Sequence, residues 1–296
     1  MKKIFFIIAH KNPVQVSSLI NQLSDGNSIF YVHVDKKCDY SEWSFLLKNI
    51  NVSFISPRID CAWGDKSIVH AMLSGFRQII LNEACGFVFL LSGQCWPLMN
   101  NAEVDQFLER NKFDLYMDIR PVSEVWSSRE VFDRINSYRF NLSAVRNDAL
   151  IIAPILSRNF FDSLRKLFII FRRKGLVVLL GVLKGLAKRP KEIRKFYGGS
   201  QWFAIDLAAL KKIMVESERD EYKNYLDGAH CPDEIFFQTI AAGLIKEKKI
   251  NSSGTITYVN WFEAKFGSPK VFSEKSNDEL RSAKNNGFIF ARKFEC

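Results

Sequence analysis

Three runs of six or seven residues constrain this chain's fold more than any other feature: KIFFIIA at 3–9, SIFYVHV at 28–34 and GFVFLL at 86–91. Nearly unbroken apolar stretches of this length suit strands buried on both faces, as in parallel sheets covered by helices. Helical patterns lie between them. Asn12-Pro13 breaks the first run and VQVSSLINQL follows with helical spacing, which recurs over 66–82, while 51–55 reads as a further short strand. The alternation predicts an α/β fold with a mostly parallel central sheet and crossover helices. In such sheets ligands bind beyond the carboxyl ends of the strands, where His10, Asp35 and Ser92-Gly93-Gln94 fall.

The remainder of the 296 residues reads as part of one catalytic domain, 1–296, with a basic helical insertion at 157–196. That insertion has no acidic residue between Asp162 and Glu192, and it carries Arg165, Lys166, Arg172, Arg173, Lys174, Lys184, Lys188, Arg189, Arg194 and Lys195 among Leu, Ile, Val and Phe. One or two cationic amphipathic helices are expected, broken near Gly175 and Pro190. Either they dock on an anionic membrane face, or they are an ordinary insertion packed on the core. Beyond it, SQWFAID and TITYVNW read as strands around a helix at 232–243, and the apolar FIFARKF tail is expected to pack back on the fold. The 26 phenylalanines imply a large aromatic core.

A net charge of +10 favours anionic partners, but the chain has no nucleic-acid-binding motif, so nucleic acid is not expected among them. Six scattered cysteines without a C-x-x-C pair read as reduced thiols. The start resembles a signal peptide, yet its apolar run meets His10 and Lys11 without a cleavage site, and no stretch is long enough to span a membrane. A cytoplasmic protein is expected, with possible peripheral contact at the inner membrane face.

Several chemistries are disfavoured. There is no G-x-G-x-x-G, no phosphate-binding P-loop and no G-x-S-x-G elbow, and His10, His33, His70 and His230 have no metal-ligand spacing. D-x-D, a pair of carboxylates that can hold a diphosphate through a metal, is also missing. A leaving diphosphate would then need Lys or Arg, with Lys270, Arg292 and Lys293 as candidates, though they can equally be surface cations. Cys231-Pro232-Asp233-Glu234 precedes an apolar helix. Asp233 suits a helix start, and Glu234 could also serve as a general base. Trp63-Gly64-Asp65 and the stretch at 198–203, with Ser200, Gln201 and Trp202, offer glycine turns, an aromatic face and hydroxyl-binding groups suited to a sugar, or merely a turn and core.

In order, FFIIAHKNP, YVHVDKK, AWGDKSIVHAML, FLLSGQCWPL, GGSQWFAI, CPDEIFFQT and FARKF resemble the core-2/I-branching enzymes. These β-1,6-N-acetylglucosaminyltransferases are grouped with peptide O-xylosyltransferases in glycosyltransferase family 14. Residues 120–195 show little of the likeness. The resemblance implies a GT-A-like fold and inverting, metal-independent transfer from a UDP-sugar donor to a glycan or lipid-linked glycan. No cofactor is implied. Glu234 matches the family's base, Lys293 and either Lys270 or Arg292 its diphosphate-binding pair, Trp261 an acceptor-contacting tryptophan, and His10 and Asp35 the uridine pocket. Vertebrate members carry a membrane anchor, and its absence here implies a bacterial-type enzyme of surface-polysaccharide synthesis. The donor sugar is then N-acetylglucosamine, or xylose or glucose; a basic membrane- or polyanion-binding protein is the non-enzymatic alternative.

Overall fold

The computed structural model describes residues 1–49, 51–143, 145, 148–154, 157, 159–190, 195–264 and 267–295. In chain order its strands are β1 (Lys3–Ala9), β2 (Ser28–Val34), β3 (Val52–Phe54), β4 (Phe87–Ser92), β5 (Cys95–Pro97), β6 (Leu115–Tyr116) and β7 (Arg120–Pro121). They continue as β8 (Tyr138–Asn141), β9 (Ala149–Ile152), β10 (Tyr197–Gly198), β11 (Ala204–Asp206), β12 (Ser252–Ser253), β13 (Thr257–Val259) and β14 (Phe290–Arg292). Seven form one sheet in the order β12-β6-β11-β4-β1-β2-β3. The apolar β1 lies inside the sheet, next to its middle strand β4, and is parallel to β2 and β4, with β3 parallel to β2. This is the mixed α/β fold with a mostly parallel sheet that the sequence predicts.

Period-two alternation along β1 divides the core between the two faces of the sheet. Ile4 and Phe6 join the cluster under the helix Lys66–Asn82, while Phe5 and Ile7 join the one under the helix Pro13–Leu23. Phe5 stacks between Phe30 and Phe89 at centroid distances of 5.3 and 5.2 Å, so phenylalanines from three strands form a ladder across the sheet. Asp65 caps the longer helix, accepting from the Ser67 N–H at 2.8 Å.

Two local expectations are corrected, and one strand runs against the grain of the sheet. SQWFAID and TITYVNW pair only over Ala204–Asp206 and Thr257–Val259. β11 runs antiparallel between β4 and β6, against the parallel grain of the sheet. The helix expected at 232–243 is a 3₁₀ turn, Pro232–Glu234, followed by a separate helix, Phe236–Lys246. Cys231 enters that turn at φ 49°, and Ile235 breaks the helical path at φ −132°. Two outside contacts hold the break: the Cys231 N–H donates to the Gly64 carbonyl, and the Glu234 carbonyl accepts from the Gly199 N–H.

The tail does fold back. β14 lies between β13 and β5, setting Arg292 opposite Cys95 and Val259. The insertion forms two helices, Phe160–Lys174 and Leu176–Ala187, which part at Gly175 and pack on the β8–β9 hairpin around Ile152, Leu167, Ile170, Val182 and Leu186. Arg189 is not a surface cation there: it is buried and donates to the Tyr225 carbonyl and, at 3.0 Å, to the Arg134 carbonyl. Arg194 lies outside the described residues. Among those residues, no helix is long and apolar enough to cross a membrane.

Candidate active site

The loops leaving β1 and β4 at their carboxyl ends meet the tail, and the loop leaving β2 meets the one leaving β1. Asp35 is buried; its N–H donates to the Ala9 carbonyl at 2.9 Å, and its carboxylate takes the Lys37 N–H at 2.9 Å and the Lys37 ammonium at 3.2 Å. The His10 imidazole is held below its ordinary range by partial burial and then by Lys11, with Asp35 opposing and Arg292 and Lys293 adding to the effect. His10, Asp35, Arg292 and Lys293 therefore share one electrostatic neighbourhood.

Arg292 donates to the Ser92 hydroxyl at 3.1 Å and lies 4.9 Å over the Trp202 ring. Burial lowers its affinity for its proton, against the pull of Cys95, Asp233 and Glu234. Lys293 donates to Ser268 at 3.3 Å and pairs with Glu295 at 2.7 Å. Glu295 also pairs with Lys11 at 2.9 Å and accepts from Gln94 at 2.8 Å; bonds from Lys293 and Lys11 hold its carboxyl down to about 2. Lys270 adjoins this cluster through its carbonyl, which accepts from the Lys293 N–H, but its ammonium is taken by Glu263 at 2.6 Å and Glu279 at 2.8 Å.

The Glu234 turn is assembled from distant segments. Besides the Cys231–Gly64 bond, Arg139 donates to the Trp63 carbonyl at 2.9 Å and meets His230 Nδ1 at 3.1 Å, and Asn141 donates to Asp65 at 2.8 Å. These bonds join Trp63-Gly64-Asp65 to the Cys231–Glu234 segment. On the other side Gln238 donates to the Ser200 carbonyl at 2.8 Å. Gly199 has no room for a side chain, since a Cβ there would lie 2.0 Å from the Asp118 carbonyl oxygen. Ser200 Oγ accepts from the Trp202 N–H at 3.4 Å, and Gln201 Nε2 reaches Met72 Sδ at 3.7 Å. Trp63 is 44% exposed and Trp261 54%; the latter lies two residues beyond Val259, the partner of Arg292.

Glu234 itself is part-exposed. Its Oε2 accepts from Arg134 at 2.7 Å, and that guanidinium sits 4.1 Å over the Trp126 ring. Asp233 beside it is buried, and its Oδ1 has no hydrogen-bond partner among the described residues. Burial, then the neighbouring Glu234 charge, raises the Asp233 carboxyl well above the usual carboxylate range; Arg134 and Arg292 oppose the rise. Two adjacent carboxyl groups in unlike surroundings, beside a part-buried arginine, can handle a proton beside an anion. Among the described residues, no group of three or more His, Cys, Asp and Glu side chains could hold a metal ion.

Sequence reasoning missed Arg134, Trp126, Arg139 and Glu295. The first three lie in the region with little family likeness, and an arginine on an amphipathic helix such as Ser128–Ile135 looks like any solvated cation.

A family model described as Core-2/I-Branching enzyme matches residues 4–282. No curated protein matches the chain. Solved structures show distant likeness, two of them as follows. One is a protein described as a glucose-1-phosphate thymidylyltransferase, from Bacillus anthracis, in complex with a sucrose: 10% identity, TM-score 0.36, covering 86% of this chain and 87% of that one. The other is a mutant UDP-glucose pyrophosphorylase from Leishmania major: 11% identity, TM-score 0.29, covering 73% and 52%. Neither likeness bears on this chain's chemistry. The family match spans the strand-end loops, the Glu234 turn and the insertion, and the chain therefore belongs to the core-2/I-branching enzymes, glycosyltransferases that move a sugar from a nucleotide-sugar donor to a glycan acceptor.

Proposed function

We propose that this enzyme transfers a sugar, N-acetylglucosamine on the family resemblance, from a UDP-sugar to a glycan hydroxyl, with inversion at the anomeric carbon and without a metal ion. Glu234 is the general base. Its Oε2 is anchored on Arg134, which orients the carboxylate so that Oε1 can take the acceptor hydroxyl proton. The acceptor oxygen then attacks the anomeric carbon as the bond to UDP breaks, and Arg292 and Lys293 receive the diphosphate charge. Asp233, with its raised affinity for a proton, supplies a carboxylic acid able to donate to a sugar oxygen. His10 and Asp35 take the nucleoside; Trp63 and Trp261 present exposed rings to donor sugar and acceptor, with Asp65, Ser200, Gln201 and Trp202 shaping the floor. We take the acceptor to be a lipid-linked glycan of bacterial surface-polysaccharide synthesis, met by a peripheral enzyme at the inner membrane face.

The observation that carries this reading is a part-exposed Glu234 carboxylate anchored on Arg134 at 2.7 Å, beside the buried Asp233 whose Oδ1 has no hydrogen-bond partner among the described residues. Glu234→Gln keeps the shape and removes the base. With UDP-N-acetylglucosamine as donor, turnover should fall roughly a hundred- to ten-thousandfold while donor binding stays near wild type. Retention of more than a tenth of wild-type turnover would overturn the assignment.

A further inference from the structure

The two insertion helices are too large in apolar area for the core they serve. One side of the pair packs on β8–β9, through Ser163, Leu167 and Ile170 from the first helix and Val182 and Leu186 from the second. On the other side Phe161, Leu164, Phe168 and Phe171 are exposed, by 85, 43, 61 and 44%. Their three-four-three spacing puts them on one helical face. On the second helix Val177 and Leu180 are exposed as well, by 84 and 56%. Contiguous exposed apolar surface of this kind marks an interaction site.

The charges around the patch select its partner. Arg165, Arg172, Arg173, Lys174, Lys184 and Lys188 are exposed, whereas Asp162 is the one acidic residue between 160 and 189, and it is paired with Lys166. A second copy docked face to face would set these cations against themselves. An anionic bilayer complements both the apolar face and the cations, and helices of 15 and 12 residues suit its interface rather than its interior.

We propose that this face of the helix pair enters the headgroup–acyl boundary of an anionic membrane. The insertion is joined to the catalytic carboxylate by a short path. Arg189, just past the second helix, donates to the Arg134 carbonyl at 3.0 Å; Asn136 donates to the Pro190 carbonyl at 2.8 Å; and the Arg134 side chain holds Glu234. The helix pair is thus anchored to the segment that holds the base. The lipid-linked acceptor rests on the function proposed above, but the membrane contact does not.

Sedimentation with vesicles, without donor, tests the contact. The wild type should pellet with phosphatidylglycerol-containing vesicles and remain in the supernatant with pure phosphatidylcholine. Phe161→Ser, Phe168→Ser and Val177→Ser together should weaken partitioning by about a hundredfold or more, since each removes an inserted apolar side chain. Arg172→Glu, Arg173→Glu and Lys174→Glu should each cost about fivefold or more. All six positions are exposed, so circular dichroism and hydrolysis of a soluble UDP-sugar should be unchanged. A wild type that ignores anionic vesicles at low salt overturns the proposal. So does a serine triple variant that pellets like the wild type, or one that instead dissociates a homodimer in sedimentation velocity. Glu234→Gln should pellet normally, so loss of the docking idea and loss of the catalytic one are separable.

Discussion

Lys270, Arg292 and Lys293 look alike in the sequence, and only their partners tell them apart. Lys270 is neutralised by Glu263 and Glu279, whereas Arg292 rests on Ser92 and Trp202, and Lys293 reaches Ser268 and Glu295. A cation already sharing two carboxylates has little charge left for a diphosphate, so Arg292 and Lys293 are expected to carry that role. Lys293→Ala should raise the Kd for UDP-sugar and lower turnover together, each by roughly tenfold, the scale of one charge-assisted bond. Mg²⁺ or Mn²⁺ should not rescue it, and wild-type transfer should survive chelation. Titration calorimetry and a transfer assay with EDTA check this; wild-type activity that collapses on chelation would count directly against it.

At the scale of elements, the turn at 232–234 and the Gly198-Gly199 pair form one unit. The Gly199 N–H donates to the Glu234 carbonyl at 3.0 Å, and the same glycine lies against the Asp118 backbone. Backbone on both sides cannot yield as a flexible side chain would. Gly199→Ala should destabilise the protein by about 1–3 kcal/mol, through overpacking, and reduce turnover by displacing Glu234. Gly243→Ala is the matched control: it lies within the helix Phe236–Lys246, a Cβ there meets nothing within 4 Å, and helix propensity favours alanine. Thermal melts should show a clear loss for the first and none for the second. Equal melts would mean that the Gly199 contact relaxes at no cost.

Across the whole molecule, His33 ties acid stability to the sheet. It is fully buried in β2, its Nε2 accepts from the Ile59 N–H at 2.9 Å, and burial lowers its imidazole to about 4 despite the opposing charge of Asp35. An unfolded chain binds this proton near pH 6.5 and the folded protein only near pH 4. Stability is therefore undiminished above about pH 6.5 and falls as pH drops towards 4, by on the order of 3 kcal/mol for this group. His230, lowered to about 4 by burial and then by Arg139 and Arg134, acts in the same direction. Urea midpoints across this window should show the fall, and His33→Gln should flatten it; an unchanged slope would place the acid sensitivity elsewhere.

The sequence alone determined the features whose cause is local. β1 and β2 are visible because burial on both faces leaves an unbroken apolar run, and the helix Lys66–Asn82 because its period lies within the segment. The Pro-Asp-Glu segment stood out for the same reason, as did the two helices parted by Gly175. Tertiary structure decided whatever depends on partners distant in the chain. The antiparallel β11 follows from which strand edges remain open between β4 and β6, and no residue within β11 records that. The helix at 232–243 breaks because Gly64 and Gly199 take its backbone groups, and the Glu234 partner is an arginine 100 positions away. A single cation has no period and no neighbours in sequence that announce its role; only the path of the folded chain sets it beside the carboxylate, where Coulomb attraction and the Trp126 ring hold it.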